Sequence, residues 1–170
     1  MQSRQPLPRL WLMTDERLGD GLQTAVARLP EDAGIVFRHY SLADTERRAL
    51  FDAVKRAAPG PVLLAGTPAA ALAWGADGSH GRYPGATTAP AHNLAEIRAA
   101  EEAGAALIFL SPVFPTRSHP GAAALGPEGF AALAAETLLP VVALGGMNAA
   151  RAATLSGAYG WAGIDAWASA

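Results

Sequence analysis

The stretch LIFLSPVFPTRSHPGAAALG, residues 107–126, decides how the chain is read. Leu107-Ile108-Phe109-Leu110 is a short apolar run behind Gly104, the pattern of a strand buried on both faces. Ser111 ends the run. Pro112, Pro115 and Pro120 fix φ at three places and deny the segment a regular helix or central strand. Ser111, Thr116, Arg117, Ser118 and His119 are therefore displayed on a stiffened polar loop. Open and closed α/β folds hold their ligands on such loops, at the C-terminal ends of buried strands. An ordinary surface connection would look the same from this segment alone.

Outward from it, the same unit recurs. Leu10-Trp11-Leu12-Met13 predicts a strand closed by Thr14-Asp15, and Leu22, Val26 and Leu29 a helix stopped by Pro30. Ile35-Val36-Phe37 predicts the next strand, emerging in Arg38-His39-Tyr40, before a helix through Leu50, Phe51 and Val54 capped by Ser41 or Asp44. Val62-Leu63-Leu64 is the third strand, and Thr67-Pro68 opens a helix to Trp74. Gly75 to Gly81 predicts a short polar fourth strand and Thr87 to Ala91 a fifth. Only Arg82 to Ala86 separate them, against the roughly dozen residues of a parallel crossover, so no covering helix fits.

Asn93 with Glu96 three residues on is a capping-box pattern opening a helix to Gly104. Beyond the opening stretch, Gly126-Pro127 starts a helix through Phe130 and Leu133, and Pro140 to Leu144 predicts the seventh strand. Gly145-Gly146 follows, then a helix capped by Asn148 and an eighth strand from Trp161 to Asp165. Alternating strands and helices in this number predict an α/β fold, a (β/α)8 TIM barrel over a single domain, residues 1–170. It is an abbreviated barrel, since 170 residues is under the usual range of about 200 or more. Helix 4 and the C-terminal helix 8 are the parts predicted to be missing or vestigial. The outer faces of strands eight and one, near Trp167, would then need cover from a second copy, which predicts a homodimer.

Composition narrows the function classes. Hydrophobic residues make up 51% of the chain, ample for a core, and there is no cysteine for disulfides or thiolate metal sites. No N-terminal apolar stretch resembles a signal peptide or membrane span, which predicts a cytoplasmic protein without a membrane partner. A net charge of -2 with no basic block excludes an electrostatic footprint for nucleic acid and leaves small molecules as partners.

A barrel would gather Asp15, Arg38 to Tyr40, Gly66-Thr67, His80, His92, Ser111 to His119, Gly145-Gly146 and Asp165 at one mouth. Gly145-Gly146 ahead of a capped helix is a candidate anion cradle, or a tight turn. Four histidines are present without HxH or HExxH spacing, so no metal site is predicted. A mouth histidine suits proton transfer near neutral pH or a structural hydrogen bond.

Leu12-Met13-Thr14-Asp15, Arg38, Ala91-His92, the loop Ser111 to Gly121 with Leu125-Gly126, and Pro140 to Met147 together resemble the thiamine phosphate synthase superfamily, which includes the TenI-like thiazole tautomerases. The resemblance implies a TIM barrel that acts on a thiazole phosphate, with or without a pyrimidine diphosphate. Carried over, Arg38 matches a diphosphate-binding arginine, Thr116 and Ser118 the hydroxyls of the thiazole-phosphate loop, and Gly145-Gly146 the phosphate cradle. His92 matches the acid/base histidine of the tautomerase branch.

Other family positions differ. Tyr40 and His119 replace lysines, Ala65-Gly66 replaces an Asn-Asp pair, the acidic residue after strand four falls in the shortened link, and Asp165 replaces a phosphate-binding serine. Two Mg²⁺-holding carboxylates and two lysines are thereby lost, and Asp165 adds a charge that would repel a phosphate or need protonation. What remains suits a tautomerase-like enzyme with no cofactor. In it His92 is catalytic, and Arg38, Ser111, Thr116, Ser118, His119, Gly145, Gly146 and Asp165 surround the substrate. A divergent synthase, which would use Mg²⁺, and a non-catalytic binding protein of the same fold are the alternatives.

Overall fold

The computed structural model describes residues 6–117 and 120–168. Eight parallel strands close into a barrel in sequence order, β1 Leu10–Met13, β2 Gly34–Phe37, β3 Val62–Ala65, β4 Gly78–His80, β5 Thr88–Ala91, β6 Leu107–Leu110, β7 Val141–Ala143 and β8 Gly160–Gly163. β1 pairs with both β2 and β8, which seals the ring. The apolar runs of β2, β3, β6 and β7 are buried along their whole length because helices cover them outside and side chains fill the inside, as the pattern at Leu107 to Leu110 predicts. Trp11 and Phe109 meet edge to face across the core, with ring centroids 5.4 Å apart. Gly34 makes room for Trp11, since a Cβ there would lie 2.4 Å from the indole.

Between the strands run α1 Gly21–Ala27, α2 Asp44–Ala57, α3 Pro68–Trp74, α4 Leu94–Glu102, α5 Gly126–Ala134, α6 Ala149–Ala152 and α7 Asp165–Ala168. Thr67, Asn93 and Asn148 cap their helices with side-chain oxygens. The start of α2 departs from prediction. Its N-cap is Ala43, with no side-chain cap, because the Ser41 hydroxyl and N–H both bond Glu16 at 2.9 and 2.8 Å. The capping box at α4 also shifts by one residue, the Glu96 carboxylate accepting the N–H of His92 rather than that of Asn93.

No helix joins β4 to β5, and the register explains how the chain manages without one. His80, the last residue of β4, pairs with Thr88, the first of β5. The link therefore crosses between strands without travelling back down the barrel. β4 is shorter than predicted because Gly75, at φ 69°, closes α3 and Asp77 accepts the N–H of Val62. β8 likewise ends at Gly163, since Asp165 begins α7.

α7, Asp165–Ala168, is a single turn at the end of the described residues. It covers the seam that the sequence left for a second copy. Trp167 stacks on Trp161 at 4.8 Å and donates its indole N–H to the Trp11 carbonyl at 3.0 Å. α7 also packs against α1. The seam between β8 and β1 thus lends no support to a homodimer.

Candidate active site

Parallel strands in a closed barrel share one C-terminal rim, and there a cavity of about 350 Å³ opens between the ends of β1, β2, β6, β7 and β8. Its wall brings together Arg38, Ser111, Thr116, Gly145, Gly146 and Asp165, six of the residues predicted from sequence. His92 is not in that wall but bonds to Ser111, which is. Ser118 and His119 lie outside the described residues.

Arg38 is held from behind. Its Nε donates to the carbonyl of Thr14 at 2.7 Å and its Nη2 to Asp15 Oδ2 at 3.1 Å. Burial lowers its pKa and the Asp15 carboxylate opposes that shift. Asp15 also stands 3.9 Å from Arg17, which in turn reaches Asp165 at 3.4 Å. Arg117 meets the same Asp165 oxygen at 3.0 Å. The repulsion expected of Asp165 toward a phosphate is therefore compensated, its carboxylate being shared by two guanidinium groups. The cavity wall carries Arg17, Arg38 and Arg151 against Asp165, an excess of positive charge that suits an anionic ligand.

Gly145 and Gly146 take φ values of +98° and +61°. Their need for glycine comes first from the loop after β6. A Cβ on Gly145 would lie 2.7 Å from Pro112 Cα, and one on Gly146 2.7 Å from the Pro115 carbonyl oxygen. The loop is stitched down by Val113 N–H to the Leu144 carbonyl at 2.9 Å and Phe114 N–H to the Gly145 carbonyl at 3.1 Å. Since α6 has four residues, its dipole adds little to the cradle, and Arg151, in the first turn, supplies charge instead.

At the end of β5, the main-chain carbonyl of Ser111 lies 2.8 Å from His92 Nδ1. A carbonyl only accepts, so Nδ1 carries a proton, and in the neutral ring Nε2 then holds the lone pair. The Ser111 hydroxyl stands 3.3 Å from the same nitrogen. His39 and His80 differ from it. His80 is 7% exposed, bonds Thr88 Oγ1 at 2.9 Å and is pushed by burial down to about 3, which removes it from proton transfer at neutral pH. His39 is also buried and its pKa lowered by that burial.

Among the described residues no three His, Asp or Glu side chains gather as a metal-ligand set. Asp15 and Asp165 are engaged by arginines, a poor donor set for a magnesium ion held by protein carboxylates. No helix of the described residues is long and apolar enough to cross a membrane.

Arg17 and Arg151 were not among the predicted residues. Each had a signal: Arg17 follows Asp15 by two residues at a strand end, and Arg151 follows the capping Asn148 by three. Both lie just beyond strands whose ends were already assigned to the mouth.

Fold and site together define a (β/α)8-barrel protein with an arginine-rich cavity and an oriented histidine at its C-terminal rim. Residues 85–167 match the model of the thiamine monophosphate synthase family. The thiamine-phosphate synthase of Geobacillus thermodenitrificans is 45% identical over 84 residues, 47% of this chain and 38% of that protein. The thiamine-phosphate synthase of Chloroflexus aurantiacus is 40% identical over 79 residues, 45% of this chain and 37% of that protein. The matched part thus spans less than half the length of either relative. Among solved structures, thiamine phosphate pyrophosphorylase from Pyrococcus furiosus superposes with a TM-score of 0.78 at 23% identity, over 95% of this chain and 88% of that one, a likeness of fold. Over residues 85–167 the chain is thus similar to the thiamine monophosphate synthase family, and to thiamine-phosphate synthases over less than half of their length.

Proposed function

We propose that the chain is a thiamine-biosynthesis enzyme with a thiazole tautomerase-like activity on a thiazole phosphate. The observation that carries this is the hydrogen bond from His92 Nδ1 to the Ser111 carbonyl, which in the neutral ring puts the lone pair on Nε2. A tautomerase needs one such group to take a proton from a carbon next to an activated ring centre and return it elsewhere on the same molecule. The substrate gains and loses no atoms, so neither a metal nor a leaving group is required. Arg38, Arg17 and Arg151 hold the anionic end, while Ser111, Thr116 and the Gly145-Gly146 main chain shape the wall around it. Ser118 remains part of the proposed loop contact on the family motif alone and His119 on its place in the same loop, while Asp165 pairs with Arg17 and Arg117 at the edge of the anion site.

The test is proton exchange. Incubated in D₂O with a thiazole phosphate carboxylate, the protein should speed loss of the exchangeable carbon-bound proton by NMR, and a His92→Ala variant should not. Absence of any His92-dependent exchange overturns the reading. The second reading, a divergent thiamine phosphate synthase, is favoured by the names of both relatives. It requires thiamine phosphate to form from a pyrimidine diphosphate and a thiazole phosphate with Mg²⁺.

A further inference from the structure

We infer that His39 is a positioning residue: acting through the Thr14 hydroxyl, its imidazole fixes the main-chain N–H of Arg38 and so the backbone that presents Arg38 to the cavity wall. The function of that placement rests on the anion-binding role proposed for Arg38. The placement itself rests on geometry alone.

His39 is the one non-glycine residue with positive φ among the described residues, at 41°. Side chains rarely adopt that backbone conformation, and where they do the surroundings have to hold it. Here they do. The ring is 4% exposed, lies flat on Phe37 with centroids 5.0 Å apart, and brings Nδ1 to 3.0 Å from Thr14 Oγ1.

Thr14 is fully buried and meets Arg38 twice. Its Oγ1 accepts the Arg38 main-chain N–H at 2.9 Å, and its carbonyl accepts Arg38 Nε at 2.7 Å. The Thr14 hydroxyl has one proton to give, and in the Nε2–H tautomer of the neutral ring His39 Nδ1 accepts it. One rotamer of Thr14 satisfies both neighbours. On the other side, Arg47 donates Nε and Nη2 to the Arg38 carbonyl at 3.1 and 3.0 Å. Arg38 is thus gripped at its N–H, its carbonyl and its side chain, and His39 supplies the acceptor that sets the first of these. A histidine that merely filled space would need neither the strained φ nor the bond to the threonine beneath Arg38.

The test uses two readouts: hydrogen exchange of the Arg38 main-chain N–H by NMR on isotopically labelled protein, and calorimetric titration with inorganic sulfate. Wild-type protein should show a slowly exchanging Arg38 main-chain N–H. His39→Asn, which tolerates positive φ and keeps an acceptor near the Nδ1 position, should retain it. His39→Gly relieves the backbone strain yet removes the acceptor. It should lose the protected signal and bind sulfate about five- to tenfold more weakly, the worth of one neutral hydrogen bond. Thr14→Val, which breaks the same link without touching residue 39, should do likewise and stands in if the glycine variant does not fold. Wild-type affinity with an undisturbed Arg38 signal in either variant overturns the proposal. If wild-type protein binds no sulfate, the anion role of Arg38 fails, while the Arg38 resonance still decides the role of His39.

Discussion

His92 Nδ1 lies 2.8 Å from the main-chain carbonyl oxygen of Ser111. The contact joins the end of β5 to the first residue of the polar loop after β6, so one hydrogen bond orients the candidate base and couples it to the cavity wall. The Asn93 cap and the Glu96 carboxylate on the His92 N–H fix the same residue from the α4 side.

His92→Asn keeps a donor near the Nδ1 position and removes Nε2. Its thermal stability and sulfate affinity should match the parent, while carbon-proton exchange on a thiazole phosphate falls about 10²- to 10⁴-fold, the usual worth of a general base. Parallel loss of sulfate affinity would mean that His92 shapes the pocket rather than moving a proton.

Asp165→Ser removes the carboxylate that Arg17 and Arg117 share. Both guanidinium groups lose an anion that competes with the ligand, and the like charge beside the phosphate is gone. Phosphate affinity measured by calorimetry should rise about three- to tenfold, in keeping with an ion pair worth about 1 kcal/mol at partial exposure. A fall in affinity would show that Asp165 holds Arg17 in its binding position.

Most of the barrel was legible because its strands are apolar runs of the right length, bounded by glycine and proline, and because Pro68, Asn93 and Asn148 mark helix starts unambiguously. The absent helix between β4 and β5 was legible from chain length alone. The stagger that pairs His80 with Thr88 was not, since register depends on closure of the whole ring. At the site, Arg38, Ser111, Thr116 and the glycine pair were found from their place after strands. Arg17 and Arg151 were missed because a surface arginine and a site arginine look alike until the rim is assembled. The packing reason for Gly145, contact with Pro112, also lay beyond one-dimensional view.

His80 makes stability depend on pH. Its pKa falls from 6.5 in the unfolded chain to about 3 in the barrel, because burial disfavours the charged ring. The unfolded state therefore binds the proton first as pH drops. The stability is fully present above pH 6.5 and is lost as pH falls toward 3, by up to about 1.4 kcal/mol per pH unit. His39, whose pKa burial also lowers, adds with the same sign. Urea unfolding at pH 7.5, 5.5 and 4.5 should give a steeper decline for the parent than for His80→Asn, which cannot titrate. Equal slopes would mean that His80 gains its proton without unfolding the barrel.

Gly145→Ala tests whether the glycine pair is there for the loop. At φ +98° an alanine is strained, and its Cβ would lie 2.7 Å from Pro112 Cα and 3.1 Å from the Val113 nitrogen, backbone atoms that cannot swing aside. The strain and the overlap together should cost roughly 2–4 kcal/mol. Gly104 offers the control, with φ +80° and open space within 4 Å of where an alanine Cβ would stand, so Gly104→Ala carries the strain alone. That variant should lose only about 1 kcal/mol. If the loop yields instead of the fold, Gly145→Ala will keep its melting temperature but push Pro112 and Ser111 off the cavity wall. Sulfate affinity and His92-dependent exchange would then fall together, because the Ser111 carbonyl that orients His92 moves with the loop. Two alanine variants with equal melting temperatures and unaltered sulfate binding would show that Gly145 serves the turn alone.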